Sequence, residues 1–471
     1  MTSEIMSEET PLLSDLLPNV KHELVYQRFS PGYKKFIVGV VSWCGLMPLF
    51  ISGTFYPSIP EIAKDLNTTG QNVSLAVSLS VFATSIGALA AASYSTFYGR
   101  RPVYLIALPL SIIGSIGVAA APNMPQLLFW RFWQCSGASP GMAVGAGVIG
   151  DIYRLEERGT AMGFFLAGIL LGPALAPPIG GLAAQYASWR FMQLCLGIFG
   201  LIAFAIMFFT FPETSHPGAR GIDALRQSGR SERSWLPVLI NPLQPLNLLR
   251  SPNVFSVSVA GFFLLLTDYV LLVPLAYTIG KRYHIDNSAL IGACFLPCGL
   301  GNMVGAPIAG RISDKIIVHW KQKRGGVWYP EDRLRATLLG ALTFVPLSVL
   351  GCGLVTHYIE GPIGLVLNLI LLFFNGFGVD LVLSPSAAYT VDVLHSRSAE
   401  AMACNSGFRS FLLTFAIAGI MPMINTYGIV ATNTLSAALA WIGCMMLALT
   451  IRYGDKMRAW VDVGYSNADN N

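Results

Sequence analysis

Charged side chains are scarce in this sequence. Asp, Glu, Lys and Arg make up 12% of its 471 residues, whereas a globular domain carries about 25%. Hydrophobic residues reach 54%, and the mean hydropathy is +0.58. This balance excludes a soluble protein, because so few charges cannot cover its surface. The formal net charge of +5 is also too small to indicate nucleic-acid binding, so we expect a membrane protein in contact with the lipid bilayer and no nucleic acid.

Patterns for cofactors, metals and secretion are also lacking. No glycine-rich loop ending in Gly-Lys-Ser or Gly-Lys-Thr occurs, and the six histidines are scattered through tails and loops. The eight cysteines lie in apolar runs, without histidines at metal-ligand spacing, which indicates buried packing. The first 35 residues lack the charged start and apolar core of a signal peptide, so we expect a disordered cytosolic tail. The sequence therefore predicts no enzyme, no cofactor and no metal site.

Apolar runs long enough to cross a bilayer, at about 20 residues each, are the main feature present. They cover 36–60, 73–95, 103–121, 125–150, 160–184, 190–211, 253–280, 288–310, 335–357, 362–391, 399–424 and 428–451. A polar cytosolic loop at 212–252 divides them into bundles at 36–211 and 253–451, with tails at 1–35 and 452–471. Two equal groups are typical of transporters built from parallel repeats. The predicted fold class is an all-α membrane protein with twelve transmembrane helices in two six-helix halves.

Basic residues are distributed unevenly among the loops. Of the 30 Lys and Arg residues, the loops assigned to the outside hold Lys64, Arg190, Lys281 and Arg282. Because positively charged loops stay in the cytosol, both termini are expected to be cytosolic. The first outside loop carries two glycosylation acceptor patterns, Asn67-Thr-Thr and Asn72-Val-Ser. Both lie close to the membrane, so an unmodified loop is the alternative, and Asn67 is kept as the candidate.

The fifth apolar run is rich in small residues and proline. It contains Gly163, Gly172, Pro173, Pro177, Gly180 and Gly181. In a soluble helix, Gly and Pro cost about 1 and 3 kcal/mol relative to Ala. In a bilayer, neighbouring helices resatisfy the backbone, and small residues permit close packing. We expect a buried, kinked helix with a nearly bare face against a partner, which suits a protein whose halves rock.

Four ionisable residues lie at membrane depth: Arg131, Asp268, Asp380 and Arg409. Charges there cost roughly 2.5–3.5 kcal/mol, so by default they mark a solute or proton pathway. Gln134 lies about one turn from Arg131, and Asn405 lies four residues before Arg409, so each shares a face with its arginine. Each aspartate is a candidate for proton coupling or solute binding, and structural pairing is the alternative. For Arg131 the alternative is that it holds the fourth helix to the first.

Several motifs together resemble those of the major facilitator superfamily, in particular the twelve-helix fungal drug:proton antiporters. The resemblance covers about residues 33–455. It is carried by the small-residue pattern of the fifth run and by segments 98–102 (YGRRP), 130–134 (WRFWQ), 211–214 (FPET), 310–315 (GRISDK) and 330–334 (PEDRL). The sequence departs from the family at Thr96 and Phe97, where an Asp and an Arg are usual, and at Cys135 and Ala176, where Gly is usual.

The resemblance implies alternating access by two rocking halves, with helices 1, 4, 7 and 10 lining a central cavity. Beside the glycines and prolines of the fifth run, it assigns gating roles to Gly99, Arg100, Arg101, Asp151, Gly310, Arg311 and Asp314. An arginine can bind a carboxylate and helix C-terminal carbonyls together, so Arg100 and Arg101 are expected to form a latch with Asp151. The missing charges at Thr96 and Phe97 are expected to weaken the latch unless Asp314 compensates.

The implied activity is proton-coupled efflux of a small organic solute by a monomer in the plasma membrane. Two arginines at membrane depth favour an organic acid of the citrate or itaconate type, or a secondary metabolite. A broad drug or toxin pump is one alternative, and a nutrient importer or facilitator with the same fold is another. A non-transporting receptor built on this fold is a third.

Overall fold

The computed structural model describes residues 26–153, 155–216, 220–223, 240–394 and 398–461. The first half contains α1 (Pro31–Gly53), α2 (Ile59–Asp65), α3 (Gly70–Tyr98), α4 (Arg100–Ala120), α5 (Met124–Ala138), α6 (Pro140–Ile152), α7 (Leu155–Tyr186) and α8 (Trp189–Thr210). The second half contains α9 (Pro252–Leu272), α10 (Ser288–Ala293), α11 (Leu296–Lys323), α12 (Thr337–Leu339), α13 (Val345–Tyr358), α14 (Gly361–Val393) and α15 (Ser398–Trp460). Residues 1–25 and 462–471 of the predicted tails, and 217–219 and 224–239 of the predicted loop, lie outside the described residues.

Twelve crossings follow from these helices, as predicted. Ten helical segments of the described chain are long and apolar enough to cross a membrane. One of them contains α15, whose 63 residues are kinked at Gly428, where φ is 84°, so it supplies two successive crossings. The twelfth is α5 with α6, two short helices separated at Ser139. The span predicted as continuous at 125–150 is interrupted there because Pro140 lacks the N–H that a helical hydrogen bond needs.

Two helices continue beyond their predicted spans. The helix α11 runs to Lys323 instead of residue 310, and α15 runs to Trp460 instead of residue 451. Both extensions carry several Lys and Arg residues, which are good helix formers. A hydropathy window ends where the apolar content falls, and the helix itself does not have to end at that point.

The helices present two ends, at which the halves are packed differently. We call the end with Pro31, Asp151 and Lys323 the proximal end, and the end with Asp65, Tyr186 and Gly361 the distal end. At the distal end a single apolar core joins the halves, with side chains from 55–81 of the first and 266–298 of the second. Toward the proximal end each half has a core of its own. The halves are therefore sealed together distally and packed separately proximally.

Candidate transport pathway and gates

Small residues of α7 contact the second half closely at the distal end. Gly181 lies against Gly292 of α10, and a Cβ added at Gly292 would be 2.6 Å from the Pro177 carbonyl oxygen. A Cβ added at Gly299 of α11 would be 2.7 Å from the Ala174 nitrogen. Helices approach this closely only where small residues leave the backbone bare. The bare face expected on the fifth crossing lies at the contact between the two halves.

Another face of α7 packs against α1. A Cβ added at Gly180 would overlap Thr54, and one added at Gly172 would be 2.9 Å from the Leu49 side chain. Pro173 and Pro177 lie inside this helix, and their carbonyl oxygens face Gly299 and Gly292 of the second half. Gly163 is exposed, and a Cβ there would meet nothing within 4 Å. The structure therefore separates Gly163 from the close contacts that the other predicted glycines of α7 make.

Hydrogen bonds also join the halves across α3 and α15. Ser85 Oγ donates to the Gly407 carbonyl at 2.7 Å. Ser78 Oγ donates to the Thr414 carbonyl, which lies further toward the distal end of α15. At the distal end itself, the Ser288 N–H donates to Gln185 Oε1 at 3.0 Å. Polar contacts thus join the two halves from the middle of α3 to the distal end.

Arg131 is fully buried in the first half. Its Nε donates to Ser80 Oγ at 2.8 Å and its Nη1 donates to Gln134 Oε1 at 2.8 Å. Its Nη2 donates to the Ile51 carbonyl at 3.1 Å, and its guanidinium carbon lies 4.3 Å from the centre of the Phe55 ring. This arginine therefore connects α5 to α1 and α3 through neutral acceptors, and its surface is closed to solvent in this conformation.

Gln134 extends the same network to two further helices. Its Nε2 donates to Ser115 Oγ in α4 and to Gln193 Oε1 in α8, both at 2.9 Å. Ser115 and Gln193 were not predicted from the sequence. A glutamine inside the apolar run 190–211 was the available signal, because a buried amide needs hydrogen-bond partners.

We expect Arg131→Gln to destabilise the first half. Each buried polar group left without a partner costs about 1–3 kcal/mol, and the change removes donors from Ser80, Ile51 and Gln134. Thermal unfolding of the purified protein should show a clear fall in Tm. Arg452→Gln, at an exposed position, is the control and should unfold near the wild-type temperature. An unchanged Tm for Arg131→Gln would contradict this structural role.

The three other predicted charges lie together in the second half. Asp268 in α9 is buried, and its Oδ1 lies 3.9 Å from Cys298 Sγ. Asp380 in α14 is half-buried and interacts electrostatically with Asp268 and Arg409. Arg409 in α15 lies beside Gly261 of α9, and its Nε is buried without a hydrogen-bond partner among the described residues. We call Asp268, Asp380 and Arg409 the carboxyl cluster.

Tyrosines connect the carboxyl cluster to the first half. Tyr56 of the first half stacks on Phe295 of the second, with ring centres 6.0 Å apart, and it lies near Arg131, Tyr269 and Asp268. Asn405 is buried in α15, and its Oδ1 lacks a partner among the residues described. The structure thus brings Asp268, Asp380 and Arg409 together, and Asn405 lies on the same helix as Arg409. The other two predicted residues, Arg131 and Gln134, lie apart from them in the first half.

At the proximal end, the predicted latch residues join crossings of the same half. Arg100 Nε pairs with Asp151 Oδ2 at 2.9 Å, which connects α4 to α6. Arg101 Nη2 donates to the Phe208 carbonyl near the end of α8 at 2.8 Å. In this conformation, these contacts therefore hold the proximal end of the first half together.

Glu213 supplies a negative charge at this end that was not predicted from the sequence. Its carboxylate accepts from the N–H groups of Arg100 at 3.0 Å and Arg101 at 3.2 Å, at the N-terminus of α4, where the helix dipole favours an anion. Gly99 precedes this turn with φ 108°, and a Cβ there would overlap the Glu213 carboxylate. Thr96 donates to a carbonyl of its own helix, and Phe97 packs near Gly221.

A corresponding charge group lies in the second half around Arg333. Its Nε pairs with Asp392 Oδ2 at 2.6 Å, and its Nη1 lies 3.6 Å from Oδ1 of Asp314, whose side chain is 74% exposed. Arg311 is exposed, and a Cβ at Gly310 would meet nothing within 4 Å. Asp314 thus pairs within its own half in this conformation, and its compensation for the charges missing at positions 96 and 97 stays a prediction.

The predicted glycosylation candidate lies in the distal turn between α2 and α3. Asn67 is exposed and has φ 49°, whereas the Asn72 amide donates to Thr68 Oγ1 at 3.0 Å. Glycosylation at Asn67 stays a prediction.

Known proteins resemble this chain over most of its length. A family model described as Major Facilitator Superfamily matches residues 41–412. MFS antiporter QDR3 of Candida albicans is 24% identical, over 91% of this chain and 79% of its own length. Efflux pump radE of Floropilus chiversii is 28% identical, over 92% and 82%. MFS-type transporter atr4 of Stereocaulon alpinum is 30% identical, over 85% and 74%.

Solved structures share the fold. A D-xylose-proton symporter superposes with a TM-score of 0.64 at 14% identity, covering 87% of this chain and 96% of its own. The xylose transporter XylE from E. coli superposes with a TM-score of 0.64 at 17% identity, covering 92% and 99%. The predicted all-α fold and the family resemblance are confirmed. The chain belongs to the major facilitator superfamily, and it is a multi-pass membrane transporter rather than an enzyme.

Proposed function

We propose that this transporter exports a small organic solute in exchange for protons by alternating access. The observation that carries the proposal is the carboxyl cluster, in which Asp268 and Asp380 lie with Arg409 between helices of the second half. Ionisable groups at membrane depth are costly and mark transport pathways. The relatives described as an antiporter and an efflux pump support export, and the xylose-proton symporters support proton coupling on this fold.

In this mechanism the carboxyl cluster binds either protons or solute. A carboxylate near Arg409 is favoured as the charged form, whereas desolvation favours the neutral form. Rocking changes the balance between these two effects, because it opens the cluster to one side of the membrane at a time. Protons enter from the distal side and leave from the proximal side, while the solute moves in the opposite direction.

The charge of the solute is less constrained than the sequence indicated. The organic-acid preference was based on two arginines, but Arg131 already donates to three neutral acceptors in the first half. Arg409 therefore remains as the cationic ligand, and it interacts with the Asp380 carboxyl, which in turn interacts with Asp268. We propose that the substrate is a small organic solute. Experiments should separate two classes of substrate: an organic acid or secondary metabolite, and a broader set of drugs or toxins.

We propose further that the proximal end faces the cytosol of a plasma-membrane monomer. Arg100, Arg101 and Arg333 lie at this end, and the basic extension of α11 ends there at Lys323. Positively charged segments are retained on the cytosolic side. The structure then corresponds to a state that is closed toward the outside.

Metabolite profiling of the host tests the direction and the solute together. We expect one compound to accumulate inside cells when the gene is deleted and outside them when it is overexpressed. Lower tolerance to added toxins, with no change in any endogenous compound, would favour a broad drug pump. If uptake of a nutrient fell and no compound was retained, the export proposal would be wrong.

A further inference from the structure

An open-sided cavity lies at the distal end, and the residues that line it all belong to the second half. Its volume is about 880 Å³, and it is bounded by the turn after α9, the end of α13, the start of α14 and the kink of α15. None of the residues that line it belongs to the carboxyl cluster or to the Arg131 network. It is therefore a site apart from the proposed pathway.

Basic side chains outnumber acidic ones in the lining of this cavity. Lys281, Arg282, His284 and His357 line it, and Glu360 is the one acidic residue among its lining residues. The side chain of Glu360 is 76% exposed and pairs with Arg282 Nη2 at 3.1 Å. Even with both histidines neutral, the lining carries a net positive charge.

Arg282 is held in place and keeps an unused donor. Its Nη2 donates to the His357 carbonyl at 2.9 Å, which fixes the guanidinium against the end of α13. Its Nε is buried and has no hydrogen-bond partner among the described residues. A buried donor without a partner is costly, and an anionic oxygen would satisfy it with a charge-assisted hydrogen bond.

The helix α14 begins at the same cavity. Gly361 and Pro362, its first residues, line the space. The preceding residue, Glu360, makes no side-chain hydrogen bond to the first turn, so this 33-residue helix lacks a side-chain cap. Pro362 has no N–H, so the uncapped donors of the turn belong to its other residues. The positive end of the helix dipole favours an anion at such a position.

We propose that this cavity binds a small anion through a carboxylate or phosphate group. The side chains of Lys281 and Arg282 and the first turn of α14 contact the anion. Two sources offer this chemistry: an anion free in solution on the distal side, and the phosphodiester headgroup of an anionic lipid.

Thermal unfolding in lipid nanodiscs tests the site with defined probes. In phosphatidylcholine nanodiscs, inorganic phosphate would be titrated against chloride at constant ionic strength. In a second arm, phosphatidylglycerol would replace part of the phosphatidylcholine, with no phosphate added. We expect a saturable rise in Tm in at least one arm. Arg282→Gln and Lys281→Gln should each raise the half-saturating concentration about tenfold, since charge-assisted hydrogen bonds are the strong ones.

The control is Lys64→Gln, which removes an exposed distal lysine outside the cavity and should keep the wild-type response. A rise with phosphate assigns the site to a free anion, and a rise with phosphatidylglycerol alone assigns it to a lipid headgroup. Lys281 is exposed, so its variant decides the question if Arg282→Gln does not fold. No rise in either arm, or equal rises in wild type and both cavity variants, would overturn the proposal.

Discussion

Asp380→Asn is expected to abolish solute accumulation driven by a pH gradient while leaving solute exchange intact. The amide has nearly the shape of the carboxyl but cannot carry a proton. Asp380 interacts with both Asp268 and Arg409, so its change removes the titrating group at the centre of the carboxyl cluster. Asp268→Asn should have the same effect if the two carboxyls act together.

The size of this effect follows from the driving force. One pH unit is worth about 1.4 kcal/mol per proton, which supports about a tenfold gradient of a neutral solute for each coupled proton. Wild-type protein in proteoliposomes should reach that gradient with the solute found by profiling, and Asp380→Asn should reach none.

Two controls accompany this measurement. Counterflow exchange by Asp380→Asn shows that the variant is folded and binds solute. Asp286→Asn, in an exposed distal loop, should keep the full gradient. Full gradients in both Asp268→Asn and Asp380→Asn would show that these carboxyls do not couple transport to protons.

Gly299→Ala is expected to prevent the distal end from closing. The added Cβ would lie 2.7 Å from the Ala174 nitrogen and 2.8 Å from the Pro173 carbonyl oxygen, which are backbone atoms that cannot rotate away. Overpacking of this kind costs about 1–3 kcal/mol, which shifts a conformational equilibrium by about five- to 150-fold. Because alanine is the better helix former by about 1 kcal/mol, a loss of function would not reflect a weaker helix.

A thiol cross-link across the distal end measures this closure. Gln71 and Asn425 lie on opposite halves, with their side-chain amides 3.4 Å apart. In a background without the native cysteines, Gln71→Cys and Asn425→Cys should be joined readily by a short bis-maleimide, which bridges the space that the two longer side chains leave. The yield should fall sharply when Gly299→Ala is added. Gly163→Ala is the matched control, because its Cβ meets nothing within 4 Å. Equal yields with Gly299→Ala and Gly163→Ala would contradict the role of this contact.

Hydropathy and residue size account for the parts of the fold that were predictable. Each run of about 20 apolar residues needs to satisfy its backbone within the membrane, so the number of crossings follows from the sequence. The break at Pro140 and the charged extension of α11 to Lys323 did not follow. Both depend on local backbone hydrogen bonding, which averaged hydropathy does not measure.

The candidate site was predictable in its residue types but not in its partners. Charges in apolar runs identified Arg131, Asp268, Asp380 and Arg409, because each is costly in a bilayer. Which of them meet depends on helix neighbours that one sequence does not show. Arg131 thus proved to contact neutral groups on α1, α3 and α5. Glu213 was missed as the cap of α4 because it lies 113 residues after Arg100.

Paired distance measurements test the rocking of the two halves most directly. Spin labels at Gln71 and Asn425 report on the distal end, and labels at Thr160 and Lys315, exposed residues toward the proximal ends of α7 and α11, report on the proximal end. We expect acidification to populate a second state, in which the distal distance lengthens as the proximal distance shortens. If the two distances changed in the same direction, or neither changed between acidic and basic pH, proton-coupled alternating access would be contradicted.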